Sequence, residues 1–309
     1  MRHGRILIAL LGGGAMARVH AAAYAALADV EQVYVPARDR ARMQTLFEDR
    51  EVDAIDICLP SAVHARFAIP ALEGGKHVFC ETPMALGLDE AQAMRDAARA
   101  TGRLLQVGLL MRSVAGYRHI RDLVETGTHG RLLSLSTWRL GSYLRPDAPG
   151  HKPHYGDPTT ELMTFDLDFA NWLMGRPTRI SAAGSGEVTA LLDYADGRHA
   201  TVAASGLMPA RMPFTAGFRA LFEDACFELQ QVFEGGPPRV VFTIAERTSP
   251  PRPVMLAGGN PYEVELRRFV DCIAGRADPH LLDADRAIEA LALSLATQRA
   301  LAEGTPVAL

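Results

Sequence analysis

Apolar and polar blocks alternate regularly through the first third of the chain. The stretch RILIALLGGGAMARVHAAAYAAL is apolar over residues 6–11, passes through three glycines and continues as alanine-rich, helix-favouring sequence, so it predicts strand, tight turn and helix. EQVYV (31–35) predicts a second strand, the polar residues 38–50 a helix, and the β-branched run VDAIDICLP a strand buried on both faces. A helix over 64–73, a strand at KHVFCE, a helix over 88–101 and a strand at LLQVGLL continue the pattern. Such alternation implies a parallel sheet with right-handed crossovers.

Past Arg112 the pattern changes. A helix over 117–126 and a strand at RLLSLSTWRL precede a long polar loop rich in proline and glycine, 141–158, and loops of that length in compact domains are commonly functional. A helix over 160–174 follows, then strands at TRISAAG, EVTALLDY, RHATVAASG, AGFRALFED, ACFELQQV and RVVFTIA, with turn signals at Asp196-Gly197 and the Gly-Gly-Pro-Pro run at 235–238. These predict a large, mostly antiparallel sheet. Helices over 262–274 and 283–302 close the chain. The expected architecture is therefore α/β: a Rossmann-like doubly wound domain over 1–112 and an α+β substrate and oligomerisation domain over 113–309.

Composition narrows the function classes. A 309-residue chain with 48% hydrophobic and 22% charged residues and a net charge of −4 lacks the basic excess that nucleic acid demands. Its apolar runs are too short to span a bilayer, so no membrane partner and a cytoplasmic location are expected. Cys58, Cys80, Cys226 and Cys272 form no CxxC pair, which predicts reduced thiols and no metal framework. Lysine occurs only at Lys76 and Lys152, and this limits where a catalytic ammonium could come from.

The candidate chemistry begins at Gly12-Gly13-Gly14-Ala15-Met16-Ala17, which fits G-x-G-x-x-G/A between a strand and a helix. Gly12 permits a tight turn and Gly14 lets the backbone approach a pyrophosphate, whose charge the N–H groups of Ala15, Met16 and their neighbours would meet. A glycine turn serving only strand–helix packing has the same pattern.

GGGAMARVH, VDAIDICLPSAVHA, GGKHVFCETPMAL, RLLQVGLLMR, HGRLLSLSTWR, DLDFANWLMGRP and ELRRFVDCIAGRADP…DADRAIEALAL together resemble the glucose-fructose oxidoreductase, inositol dehydrogenase and MocA family over nearly the whole chain. The resemblance implies NAD or NADP as cofactor, with Pro60 and Ser61 running along it and a cofactor-side or purely structural role for His64. It implies pairing of the C-terminal sheets into a homodimer or homotetramer.

The chain departs from the family pattern at three places. The acidic residue that usually binds the adenosine ribose is replaced by Pro36-Ala37-Arg38-Asp39, where Arg38 either meets a 2′-phosphate or is simply solvated. Only residues 36–52 separate that strand from the next, so one βα unit is missing. The family's Glu-Lys-Pro reads Glu81-Thr82-Pro83, and its Asp-x-x-x-His falls on Glu161 and Phe165, spaced to share a helix face. Threonine donates a hydrogen bond but is no acid near neutrality.

Replacement acid–base groups are available in the loop holding His151, Lys152, His154, Tyr155 and Asp157, which serves either as a catalytic set or anion-binding lid beside Glu161, or as a polar surface loop. Arg112 fits either a substrate carboxylate or an interdomain salt bridge. Three functions compete. The first is an NAD(P)-dependent oxidoreductase for a sugar, polyol or other small polar carbonyl or alcohol. The others are a non-redox isomerase, lyase or cyclase on the same fold, and a binding or regulatory protein.

Overall fold

A computed structural model describes residues 4–36, 38–148, 151 and 156–309, and of Arg40 the backbone alone. The chain divides into two compact units, Met1–Val114 with Gly258–Leu291, and Ala115–Ala257 with Ala292–Leu309.

The first unit opens with β1 (Ile6–Gly12), α1 (Ala15–Ala25), β2 (Val30–Val35), α2 (Arg40–Glu48) and β3 (Ala54–Cys58). It continues with α3 (His64–Glu73), β4 (His77–Cys80), α4 (Leu88–Thr101) and β5 (Leu105–Val107). The five strands lie parallel in the order β2-β1-β3-β4-β5. That is one strand fewer than the six-stranded dinucleotide sheet, because α2 alone links β2 to β3. β1 is buried along its whole length, as its unbroken ILIALL run requires.

The second unit begins with α5 (Ala115–Thr126), β6 (Leu132–Leu140), α6 (Pro158–Glu161) and α7 (Met163–Met174). The strands β7 (Arg179–Ala183), β8 (Val188–Asp193), β9 (His199–Ser205), β10 (Phe214–Phe222), β11 (Ala225–Phe233), β12 (Arg239–Glu246) and β13 (Ser249–Pro253) follow. After α8 (Pro261–Ile273), which belongs to the first unit and packs on α1, come α9 (Ala284–Glu303) and the short β14 (Val307–Ala308). The nine-stranded sheet runs β13-β12-β11-β10-β6-β9-β8-β7-β14, antiparallel except where β6 meets β9. Tyr117 of α5, Phe169 of α7 and Phe218 of β10 form its aromatic centre, with ring centroids 4.6–5.3 Å apart.

The α/β architecture and the two sheets agree with the sequence pattern. Three local features differ from it. LLQVGLL supplies only three strand residues, Leu105–Val107. SPPRP, unread as a strand, forms β13, and its prolines are tolerated because the strand lies at the sheet edge. The helix expected over 160–174 is broken at Leu162, whose φ of −119° separates α6 from α7. Glu161 and Phe165 consequently sit on different helices, and their four-residue spacing does not place them on one helix face. Among the described residues no helix is long and apolar enough to cross a membrane.

Candidate active site

In the first unit the strand order reverses between β1 and β3, and ligands of open α/β sheets bind outside the carboxyl ends of strands at such a switch point. Gly12 ends β1 there with φ +152°, paired with Cys58, and a Cβ on it would stand 2.5 Å from the Cys58 carbonyl oxygen. Only glycine fits so close an approach. Gly14 is the N-cap of α1; it brings no capping side chain, and a Cβ on it would meet nothing within 4 Å. With no acidic residue in the first turn either, the leading N–H groups of α1, from Ala15 and Met16 onward, have no capping side chain and no first-turn carboxylate to meet them. This is a cradle for an anion, and the residues present fit a pyrophosphate.

The other sequence candidates of this unit are disposed around that turn or below it. Arg38 is exposed just beyond β2, while its neighbour Asp39 caps α2 by accepting from the Arg42 N–H at 3.2 Å. Pro60 is exposed and Ser61 buried in the 3₁₀ turn after β3. His64 is buried, with Nε2 2.7 Å from the Leu59 carbonyl oxygen and Nδ1 3.1 Å from that of Pro83; burial holds its pKa down although both carbonyls favour its charge. It ties the loop after β3 to the one after β4. Thr82 donates its hydroxyl to the Gly108 carbonyl at 2.8 Å and its N–H to Glu81 Oε2 at 3.1 Å, so its one O–H is committed to the backbone. Arg112 is buried and donates to the Leu281 carbonyl at 2.9 Å within the same unit. Lys76 donates to the carbonyls of Asp49 and Val52, which fixes it as a structural cation.

Behind the glycine turn lies a polar cluster that the sequence did not single out. His20 of α1 is fully buried; its Nδ1 is 2.8 Å from Asp56 Oδ2 and 3.3 Å from Cys58 Sγ, both on β3. Its Nε2 lies 2.8 Å from Glu81 Oε1, off the line of a hydrogen bond. Burial opposes the imidazolium, yet the Asp56 carboxylate, Cys58 and Glu81 prevail and raise the His20 pKa well above 6.5. Glu265 of α8 is buried in the same field, and burial together with the Glu81 charge pushes its carboxyl well up. Burial and Asp56 do the same to the Cys58 thiol and the Tyr24 phenol. The available signal was Asp56, a charge in the middle of the otherwise apolar AIDIC strand.

In the second unit Glu161 is buried at the end of α6, and Phe165 is half-buried in the first turn of α7. The ring of Phe165 lies 4.9 Å under the guanidinium of Arg139 from β6, a cation–π contact. Arg139 in turn holds Asp166 through Nε (3.0 Å) and Nη2 (3.3 Å), both residues buried. Burial raises the Asp166 pKa against the pull of Arg139. His151 is exposed, its Nδ1 3.1 Å from the Tyr143 carbonyl oxygen. Lys152, His154 and Tyr155 lie outside the described residues.

Two models of one family match the chain, one in each half. Residues 6–109 match its oxidoreductase domain with NAD-binding Rossmann fold, and residues 117–228 match its C-terminal domain. Levoglucosan dehydrogenase of Pseudarthrobacter phenanthrenivorans is 28% identical over 209 residues, covering 57% of this chain and 53% of that protein. An uncharacterised oxidoreductase of Bacillus subtilis is 34% identical over 145 residues, 45% of this chain and 41% of the other. The matched stretch thus spans about half or less of these relatives' length. Solved structures align along nearly the full chain. Aldose-aldose oxidoreductase of Caulobacter crescentus superposes with a TM-score of 0.84 at 20% identity, covering 99% of this chain and 100% of that one. Levoglucosan dehydrogenase in complex with NADH and levoglucosan superposes at 0.78 and 20% identity, covering 98% and 99%. At such identities the superpositions speak for the fold, and the two domain matches speak for descent: the chain belongs to the Gfo/Idh/MocA oxidoreductase family.

Proposed function

We propose that this protein is an NAD(P)-dependent oxidoreductase acting on a sugar, polyol or other small polar carbonyl or alcohol. The observation that carries the reading is the glycine turn: Gly12 is fixed by a backbone approach only glycine allows, while Gly14 faces open space at an uncapped helix N-terminus. A turn serving packing alone would have no need of the second glycine. Levoglucosan dehydrogenase and inositol 2-dehydrogenase among the relatives point to the polyhydroxylated substrate class.

In this reading the N–H groups of Gly14, Ala15 and Met16 hold the pyrophosphate. Pro60 and Ser61 border the nucleotide, and Arg38, free of the acidic neighbour that capping occupies, receives a 2′-phosphate and so favours NADP. The nicotinamide supplies a hydride acceptor or donor when bound. Thr82 positions its loop through Gly108, Glu81 steadies the Thr82 N–H, and His64 ties that loop to the one after β3. Glu161 exchanges the substrate hydroxyl proton with the loop of Lys152, His154 and Tyr155, while Arg112, His151 and Phe165 contribute to substrate binding. The chain pairs into a homodimer or homotetramer through the nine-stranded sheet, on which Leu221, Val240 and Val241 are exposed.

A second reading, non-redox chemistry on this fold, draws on Thr82, whose hydroxyl is spent on Gly108, and on Phe165, which packs beneath Arg139. One assay separates the two. Purified protein is mixed with NAD⁺ or NADP⁺ and a panel of aldoses, anhydrosugars and inositols, with reduced nicotinamide followed by absorbance and substrate by chromatography. Growth of the absorbance with one substrate class is the expected result; substrate consumed with no absorbance change would establish the non-redox reading instead.

A further inference from the structure

Two carboxylates reach His20, each at a different ring nitrogen. Nδ1 stands 2.8 Å from Asp56 Oδ2 on β3, and Nε2 stands 2.8 Å from Glu81 Oε1 just past β4. An ionised carboxylate can only accept, so each contact needs a proton on the nitrogen that makes it. A neutral imidazole carries one such proton and would set a lone pair against the other carboxylate. Only the imidazolium serves both. The Nε2 contact lies off the line of a hydrogen bond, so charge rather than a directional bond holds Glu81 there.

Glu81 also has a second task. Its Oε2 accepts the Thr82 N–H at 3.1 Å, beside Gly108, on which a Cβ would stand 3.1 Å from the same oxygen. Thr82 gives its hydroxyl to the Gly108 carbonyl, and His64 Nδ1 lies 3.1 Å from the Pro83 carbonyl oxygen. The segment 81–83 leaves the carboxyl end of β4, the side of the sheet on which open α/β folds bind ligands. The Glu81 side chain is 14% exposed, whereas those of His20 and Asp56 are fully buried. Asp56, His20, Glu81 and Thr82 therefore form a chain of contacts from the interior to the edge of the candidate site.

Among the described residues, the titratable groups facing His20 are Tyr24 on its own helix, Asp56 and Cys58 on β3, Glu81 after β4, and Tyr262 and Glu265 on α8. The ring of Phe79 on β4 packs against it at 5.7 Å. His20 is the one member of this set that can be a cation. Burial opposes that charge, and Asp56, Cys58 and Glu81 outweigh burial.

We propose that His20 is a positioning residue of this site: its imidazolium, anchored on Asp56, holds the Glu81 carboxylate and through it the Thr82 N–H, and so sets the segment 81–83 against cofactor and substrate. The last clause rests on the oxidoreductase reading; the linkage from His20 to Thr82 belongs to the protein without ligand. Loss of the His20 proton at high pH releases Glu81 Oε1 and loosens the Thr82 N–H.

Nuclear magnetic resonance of the full-length, nitrogen-15-labelled protein tests this, with the His20 ring nitrogens and the Thr82 amide followed between about pH 6 and 10. The expected result is a His20 ring protonated on both nitrogens at about pH 7.5, above the unperturbed midpoint near 6.5, and a Thr82 amide that shifts through the same midpoint as the ring. Glu81→Gln keeps an acceptor for Thr82 and removes the charge, so it should lower the His20 midpoint and uncouple Thr82 from it. At equal pH, His20→Gln should speed hydrogen exchange at Thr82 about tenfold, the effect of one lost hydrogen bond. Should either variant fail to fold, the wild-type titration decides alone, because a histidine that only fills the core would titrate without Thr82. NADH or NADPH added to the wild type should shift the Thr82 amide. A singly protonated ring at about pH 7.5, a Thr82 amide indifferent to the His20 midpoint, or bound nucleotide that leaves Thr82 unmoved would each overturn the proposal. Failure of both nucleotides to bind would instead sink the oxidoreductase reading, with the titration still deciding the linkage.

Discussion

Both units bury charge, and they do so in opposite ways. In the second, Arg139 holds Asp166 through two hydrogen bonds, with the Phe165 ring against the guanidinium. In the first, Asp56, Glu81 and Glu265 share the single imidazole of His20. A buried, hydrogen-bonded ion pair is a structural device whose loss is felt in folding, while several carboxylates around one imidazole depend on bound protons. The second unit's charge should therefore govern stability and the first unit's should govern pH dependence.

The largest effect should come from breaking the pair of Arg139 and Asp166. Arg139→Met strands a buried carboxylate and should cost about 3–5 kcal/mol in denaturant unfolding, and adding Asp166→Leu should recover most of it. A double variant no more stable than the single one would show that the pair does more than neutralise itself.

Gly12→Ala is next. Its methyl would press on the Cys58 carbonyl in a conformation L residues avoid, and the expected loss is about 2 kcal/mol or more. A variant as stable as the parent would mean that β1 and β3 separate more easily than their register indicates.

The pH profile sharpens the contrast. His20 has a raised folded pKa, so its contribution to stability is complete below the unfolded value, near 6.5, and is lost as pH rises through the folded one. Glu265, also raised, loses its contribution in the same direction. His77 has the opposite sign: burial, then Arg103, push its pKa down to about 4, and its Nδ1 accepts the Leu104 N–H, so its contribution is lost as pH falls from about 6.5 toward 4. Thermal melts should show Glu265→Gln flattening the alkaline decline while leaving the acid limb in place. Unchanged alkaline slope in that variant would count against a cluster that depends on bound protons. The smallest effect belongs to Asp29, which meets Arg267 and Arg276 at the surface; Asp29→Ala should cost under about 1 kcal/mol by denaturant unfolding, and less in high salt.

What could be read from the sequence follows from locality. β1, its glycine turn and α1 occupy one continuous stretch whose pattern carries its own geometry, and the alternation to β5 gave the parallel sheet. β13 escaped because prolines mask a strand that lies at a sheet edge, and the break at Leu162 left no mark because no glycine or proline lies between Thr159 and Met174. The His20 cluster draws residues 20, 56, 58, 81 and 265 from four separate regions, and no spacing rule joins them; only the misplaced charge of Asp56 in β3 announced it. Arg139 and Asp166 were hidden likewise, one in a strand and one in a helix, each unremarkable alone.

The central claim, that the turn from Gly12 to Met16 holds a dinucleotide, is tested most directly by calorimetry of NADH and NADPH binding to the wild type and to Gly14→Val. A Cβ at 14 meets nothing within 4 Å, so the variant should stay folded, with a loss of about 1 kcal/mol from the N-cap, while losing affinity about 100-fold, near 2.7 kcal/mol. Wild-type protein that binds neither nucleotide, or a Gly14→Val variant that binds as tightly as the parent, would contradict it.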